Sequence, residues 1–221
     1  MMSHSENNQM IVIDGVDGSG KGVQTRRLHQ AMLCAGLDCI LTREPGGSPA
    51  AEDIRELLVK GEPEKWDSMT ELLLMVAARR AHLRDTVWPA LKQGRWVISD
   101  RFADSSRAFQ GIAGELGLDV VEQMHQLSIG NFSPSLVLIL DIDETVALAR
   151  AEARGEGEDR FEKKGAAYHQ KVRAAFRQIA QSDPARYRLI DASGTMDEVS
   201  QQILDCVNDF HQLHLELASE S

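Results

Sequence analysis

Five short apolar runs rich in β-branched residues, "MIVID" (10–14), "DCILT" (38–42), "WVISD" (96–100), "LVLILDI" (136–142) and "YRLID" (187–191), are separated by longer stretches with helical periodicity. That alternation predicts parallel strands joined by helical crossovers. The expected fold is α/β, a five-stranded parallel sheet flanked by helices on both faces. Four of the runs end at or near an acidic residue, and in such sheets ligands gather at the carboxyl ends of the strands. Function is therefore expected after Asp14, Thr42 and Asp100. The longest helical segment covers about 67–93, where Leu72, Met75, Val76 and Leu83 make an apolar stripe interrupted by Arg79, Arg80 and His82. Pro89 is expected to bend or end it.

With 221 residues, 43% of them hydrophobic, the chain can bury one sizeable core. A single domain is expected over 10–213, between a disordered leading tail (1–9) and a loose trailing one (214–221). The formal charge of −10, from 24 basic and 34 acidic residues, is offset by no long block of Lys or Arg, which argues against a nucleic-acid-binding surface. Anionic substrates can then be held only where arginines gather locally. Cys34, Cys39 and Cys206 lack metal-ligand spacing and leave an odd count for disulfides, as suits a reducing compartment. The start "MMSHSENNQ" has no apolar signal core, and no run approaches the roughly 18 apolar residues of a membrane span. A cytoplasmic protein is expected.

"GVDGSGKGVQT" (15–25) follows the first run directly. A strand, a glycine-rich turn and a helix opening with Lys21 place backbone N–H groups and a helix N-terminus around an anion. Gly15, Gly18 and Gly20 permit the tight turn, with Val16, Asp17 and Ser19 between them, and Lys21 can reach the β- and γ-phosphates. The usual pattern, G-x-x-x-x-G-K-[ST], places a hydroxyl after the lysine to meet Mg²⁺. Here that residue is Gly22. The residues alone leave open a working kinase or a binding loop that has lost its metal. "GKG" also resembles the loop of adenylate and UMP/CMP kinases, G-x-x-G-x-G-K-G-T-Q, and that resemblance implies magnesium held by phosphates and waters, a mode Mg²⁺ accepts readily. Val23 stands where those kinases have Thr, and Thr25 lies close by.

Three further stretches, "TREPGG" (42–47), "DRFADSSRAFQG" (100–111) and "RAEARGEGEDRFE" (150–162), follow the second, third and fourth runs. With the phosphate loop they resemble thymidylate kinase, in order, over about 10–205. The resemblance implies a P-loop nucleoside monophosphate kinase fold, ATP-dependent phosphorylation of dTMP to dTDP with Mg²⁺, and a homodimer. It implies ATP on residues 15–23 with Arg150, and dTMP among Asp17, Glu44, Arg55, Met75, Arg79, Arg101, Ser106 and Gln110. Arg55 would grip the acceptor phosphate, Asp17 would accept from the 3′-hydroxyl, and Met75, where Phe is usual, would pack on the base. Arg79 would bond a base carbonyl, and Ser106 and Gln110 would read the base edge. Asp100 would hold the hydration shell of Mg²⁺, while Lys21, Arg101, Arg154 and Arg160 would neutralise phosphate charge during transfer. Gly18 stands where one branch of the family has arginine. The lid of about 150–165, with Arg150, Arg154 and Arg160, matches the bacterial branch that supplies this charge from the lid. The rivals are a kinase for AMP or UMP/CMP, and a nucleotide-binding protein without catalysis.

Overall fold

A computed structural model of the chain describes residues 9–143, 145–147, 149 and 160–217. Five strands, β1 (Met10–Gly15), β2 (Cys39–Arg43), β3 (Trp96–Asp100), β4 (Leu136–Asp141) and β5 (Tyr187–Asp191), form one sheet in the order β2-β3-β1-β4-β5. Every pairing is parallel, with Ile13 opposite Asp100 and Ile11 opposite Leu136. Strands covered on both faces should be apolar without alternation. Accordingly Met10, Ile11, Val12 and Ile13, and Leu136, Val137, Leu138 and Ile139, are all fully buried. Each such side chain contributes about 1.5–3 kcal/mol, which makes β1 and β4 a main hydrophobic anchor of the fold.

The helices are α1 (Lys21–Cys34), α2 (Pro49–Val59), α3 (Ser68–His82), α4 (Trp88–Lys92), the short α5 (Ala103–Ser106), α6 (Leu118–Ile129), α7 (Ala166–Ser182) and α8 (Met196–His211). Asp67 caps α3 by accepting from Thr70 N, and Thr195 with Glu198 forms a reciprocal capping box on α8. The long segment expected over 67–93 does continue to Lys92, but through a π-helical turn at Leu83–Val87, where Trp88 N donates to the Leu83 carbonyl five residues back. Pro89 is the physical reason. It has no N–H to return to residue 85, and the wider turn absorbs the lost bond.

The stripe on α3 divides between two destinations. Leu72 and Val76 meet Val121 of α6 in a small second core, whereas Leu83 joins the main one. The trailing tail expected from 214 is corrected: Leu215 is buried, Leu213 and Leu217 pack on the core, and Asn208 bonds both the N–H and the carbonyl of Leu215. Gln9, assigned to the leading tail, accepts from Val97 N and so extends the β1–β3 ladder.

Candidate active site

Beyond β1 the chain turns toward β2, and beyond β3 it turns the opposite way toward β4, so the neighbouring carboxyl ends of β1 and β3 open a crevice. Backbone bonds stitch its rim: Arg101 N donates to Ile13 O (3.0 Å), and Glu44 N to Asp100 O (2.9 Å). Chemistry expected after three separate strands is thus gathered at one edge.

The phosphate loop occupies the β1 side. Helix α1 starts at Lys21, so the Lys21 and Gly22 N–H groups have no intrahelical acceptor and face outward with the positive end of the helix dipole. Ser19 Oγ is buried without a partner, a hydroxyl available to an anion seated in the loop. Lys21 Nζ donates to Val16 O (2.7 Å). Burial, and then the nearby Arg101 guanidinium, push the Lys21 ammonium down to about 8 against the opposing pull of Asp17, Asp100 and Asp14. Thr25 does not replace the hydroxyls missing at 22 and 23, because its Oγ1 turns back to the carbonyls of Lys21 (3.0 Å) and Gly22 (3.3 Å). Gly18 has φ +78°, and a Cβ there would lie 1.8 Å from the Ala147 carbonyl oxygen. An arginine in that position would have to displace the backbone after β4.

Asp100 ends β3 beside the start of α1. A Cβ on Gly22 would sit 3.6 Å from Asp100 Oδ2, and the carboxylate makes no side-chain hydrogen bond among the described residues. An acceptor-only group with spare lone pairs, at a phosphate-binding helix start, suits the hydration shell of a hard cation. No cluster of three His, Cys, Asp or Glu among the described residues could hold a metal by itself. Phosphate oxygens would therefore supply the remaining charge.

Arg101 joins the two halves of the site. It is a non-glycine residue at φ 73°, a conformation that costs about 1–3 kcal/mol. Its guanidinium is held by Asp14 Oδ1 (3.1 Å), the Gly15 carbonyl (2.9 Å), Ser105 Oγ (3.0 Å) and Asp17 Oδ1 (2.5 Å), and it stacks over Phe109. Burial alone would raise the Asp17 carboxyl; Arg101 and Lys21 reverse that and hold it at about 2. Asp14, wholly buried, is instead lifted by burial to about 6 even though Arg101 pulls the other way.

Next to Arg101 lies a cavity of about 660 Å³ including its open mouth. Of the residues expected at the acceptor, Asp17, Glu44, Arg55, Met75, Arg79, Arg101 and Gln110 all line it. Arg55 also donates to the Pro45 carbonyl (2.7 Å). Arg79 is buried, with Nε on Glu44 Oε2 (2.7 Å) and Nη2 shared between the Phe102 carbonyl and Ser106 Oγ (both 3.1 Å). Glu44 is fixed in turn by His82 Nδ1 (3.0 Å), whose other nitrogen meets Thr42 Oγ1 (2.7 Å). Burial opposes the Glu44 charge, but Arg79 and His82 more than compensate and its carboxyl falls below the ordinary value.

Two expectations are corrected here. Ser106 does not line the cavity; it is buried behind Arg79 as a support, and the exposed place goes to Ser105. The register changes because the short α5 passes into a π-helical stretch at Arg107–Ala113. Arg160, expected as a lid arginine meeting phosphate, is fully buried. It donates to Glu71 Oε1 (2.7 Å) and to the carbonyls of Leu58, Glu62, Pro63 and Trp66. With this many acceptors and a buried counter-charge, it acts as a tether between the segment after 159 and the wall of the cavity. Arg150, Arg154 and most of the lid lie outside the described residues.

The sequence reading missed Glu71, Ser105 and the apolar lining of Val59, Phe102, Phe109 and Phe161. Glu71 was within reach: it precedes Met75 and Arg79 by four and eight residues and so shares their face of α3. Phe102, Phe109 and Phe161 lie within the motifs at 100–111 and 150–162, but nothing in those motifs showed that their rings would meet across the cavity.

Comparison with known proteins agrees with this geometry. The family model described as thymidylate kinase matches residues 13–203. A thymidylate kinase from Ruegeria pomeroyi is 46% identical over 198 residues, covering 89% of this chain and 93% of that protein. One from Caulobacter vibrioides is 47% identical over 197 residues, covering 89% and 94%. The crystal structure of thymidylate kinase from Ehrlichia chaffeensis superposes with a TM-score of 0.72 at 29% identity, covering 91% of this chain and 99% of that one.

Proposed function

The chain belongs to the thymidylate kinase family and phosphorylates dTMP to dTDP, and from that premise we propose that ATP is the donor, seated on residues 15–23, with dTMP in the adjoining cavity. The observation that carries this assignment is that Asp17 and Arg101 belong to both halves: they flank the phosphate loop and line the cavity. A phosphate group leaving the loop therefore passes Arg101 to reach the acceptor. Lys21 binds the donor's terminal phosphates, Arg101 neutralises the charge that spreads over the transferring group, and Arg55 orients the acceptor phosphate. Asp17, kept ionised and turned to Arg101, offers an acceptor to the sugar hydroxyl. Met75 packs on the base, a thioether against a ring, while Arg79 and Gln110 take its edge.

Mg²⁺ would be held by Asp100, through water, and by phosphate oxygens; when bound it offsets the negative charge of the polyphosphate. No general base is needed, because a phosphate monoester with a second pKa near 6 is largely ionised at neutral pH. Arg150 and Arg154 are proposed to close over the donor from the lid. No helix among the described residues is long and apolar enough to cross a membrane, and the proposed location is the cytoplasm. A homodimer is proposed on the outer face of α3, where Met69 and Leu73, four residues apart, are exposed, with Leu57 of α2 and Leu127 of α6 on the flanking helices.

The test is ADP formation from ATP–Mg²⁺ with dTMP, dUMP, AMP, UMP or CMP as sole acceptor, across a magnesium titration. Fast turnover with dTMP at ordinary magnesium supports the assignment and shows that Gly22 and Val23 are tolerated. Preference for AMP or CMP, or ATP binding without transfer to any acceptor, would overturn it.

A further inference from the structure

Beneath the cavity, Glu71 makes contacts that phosphoryl transfer does not call for. The carboxylate is buried, and its Oε1 receives both Arg160 Nη2 (2.7 Å) and Lys164 Nζ (2.6 Å). Its Oε2 receives Gln110 Nε2 (3.1 Å). Both of these partners can only donate, and the carboxylate they hold can only accept. The Gln110 amide therefore has one permitted orientation, nitrogen toward Glu71 and oxygen away. That oxygen is buried, on a residue that lines the cavity, and has no partner. A buried acceptor left unpaired costs about 1–3 kcal/mol, so the site demands a donor from whatever binds there.

We propose that Glu71 is a specificity-determining positioning residue: by locking the Gln110 amide it makes the cavity require a ring N–H beside a carbonyl, and so excludes cytosine. This rests on the reading that Gln110 meets the acceptor's base. The complement is already in place, because Arg79 can only donate and its Nη1 is not used by Glu44, Phe102 or Ser106. Donor beside acceptor matches the carbonyl and N3–H of thymine or uracil. Cytosine inverts both positions, placing an amino group against Arg79 and a bare ring nitrogen against the Gln110 oxygen. Arginine cannot invert, but a glutamine amide can by turning over, unless something holds it. Glu71 is that restraint, itself held by the Arg160 and Lys164 pairing.

The test compares kcat/KM for dTMP with that for 5-methyl-dCMP, which differ at this edge alone, with dUMP as a control. In Glu71→Gln the new amide can either donate or accept, Gln110 is free to turn, and the preference for dTMP over 5-methyl-dCMP is expected to fall about tenfold or more. The ratio of dUMP to dTMP, which share the same edge, should stay constant. Because Glu71→Gln leaves Arg160 with a weakened partner and could fold poorly, the double variant Glu71→Met/Arg160→Met, which removes both buried charges, is measured beside it. Gln110→Ala completes the set. If it relaxes the ratio while both Glu71 variants leave it unchanged, the proposal fails and Gln110 still reads the base. If Gln110→Ala also leaves the ratio unchanged, the proposal and the reading it rests on fail together. A Glu71 variant that shifts the dUMP ratio as far as the 5-methyl-dCMP ratio would show general loosening of the pocket and also overturn it.

Discussion

Lys21 and Arg101 show how one side chain is altered by its neighbours. A lysine ammonium pushed down to about 8 by burial and by Arg101 is charged at neutral pH in the free enzyme but loses its proton soon above it. The sign follows directly: kcat/KM for ATP should bend downward near pH 8 and approach a tenfold loss per further unit, since that parameter reports the free enzyme. Bound polyphosphate restores the charge, so kcat at saturating ATP should hold to higher pH. A kcat/KM profile flat to pH 9.5, or a bend that persists in Lys21→Arg, would contradict this assignment. Arg101→Ala removes the charge shared by loop and cavity and should lower turnover by about a hundredfold or more while ATP affinity changes little. Equal losses in kcat and in ATP affinity, measured by steady-state kinetics and calorimetry, would assign Arg101 to binding alone. Both residues were legible in the sequence because they sit in short motifs whose backbone geometry is local. Ser106 was not, since the Arg79 guanidinium it supports comes from 27 positions away in the chain.

Among the elements, α3 does the most to relate fold to site. One face sends Leu72 and Val76 into the small core with Val121, and another presents Glu71, Met75 and Arg79 at or beneath the cavity. Leu72 is fully buried, so Leu72→Ala should cost about 2–5 kcal/mol, read as a fall in thermal midpoint or in denaturant midpoint without a change in slope. The same shift of α3 should raise KM for dTMP more than for ATP, because the loop and α1 do not depend on this cluster. A loss falling equally on both substrates would separate α3 from the acceptor site. Helical periodicity announced this helix, but the π turn at Leu83–Val87 follows from a missing N–H at Pro89 whose accommodation depends on the elements packed around it.

For the whole molecule, the proposed assembly face and the candidate site lie on the same helix. Leu73 is 48% exposed on the outer face of α3, and Leu73→Glu should convert the proposed homodimer to a monomer in sedimentation velocity. A wild-type chain already monomeric at micromolar concentration, or a dimer unaffected by the substitution, would remove this face from assembly. The order of strands and helices, the phosphate loop, and the acidic and basic residues at the ends of β1, β2 and β3 were determined by the sequence itself, because apolar runs, glycine turns and helix starts are set by residues a few positions apart. The tertiary structure alone decided that Arg160 turns inward to Glu71, 89 positions away in the chain, that Gln110 is left with an unpaired oxygen, and that the stretch around Leu215 packs on the core rather than trailing free. Each of these depends on which buried charge or acceptor lies within hydrogen-bonding distance, and that is settled only when distant segments close on one another and exclude water.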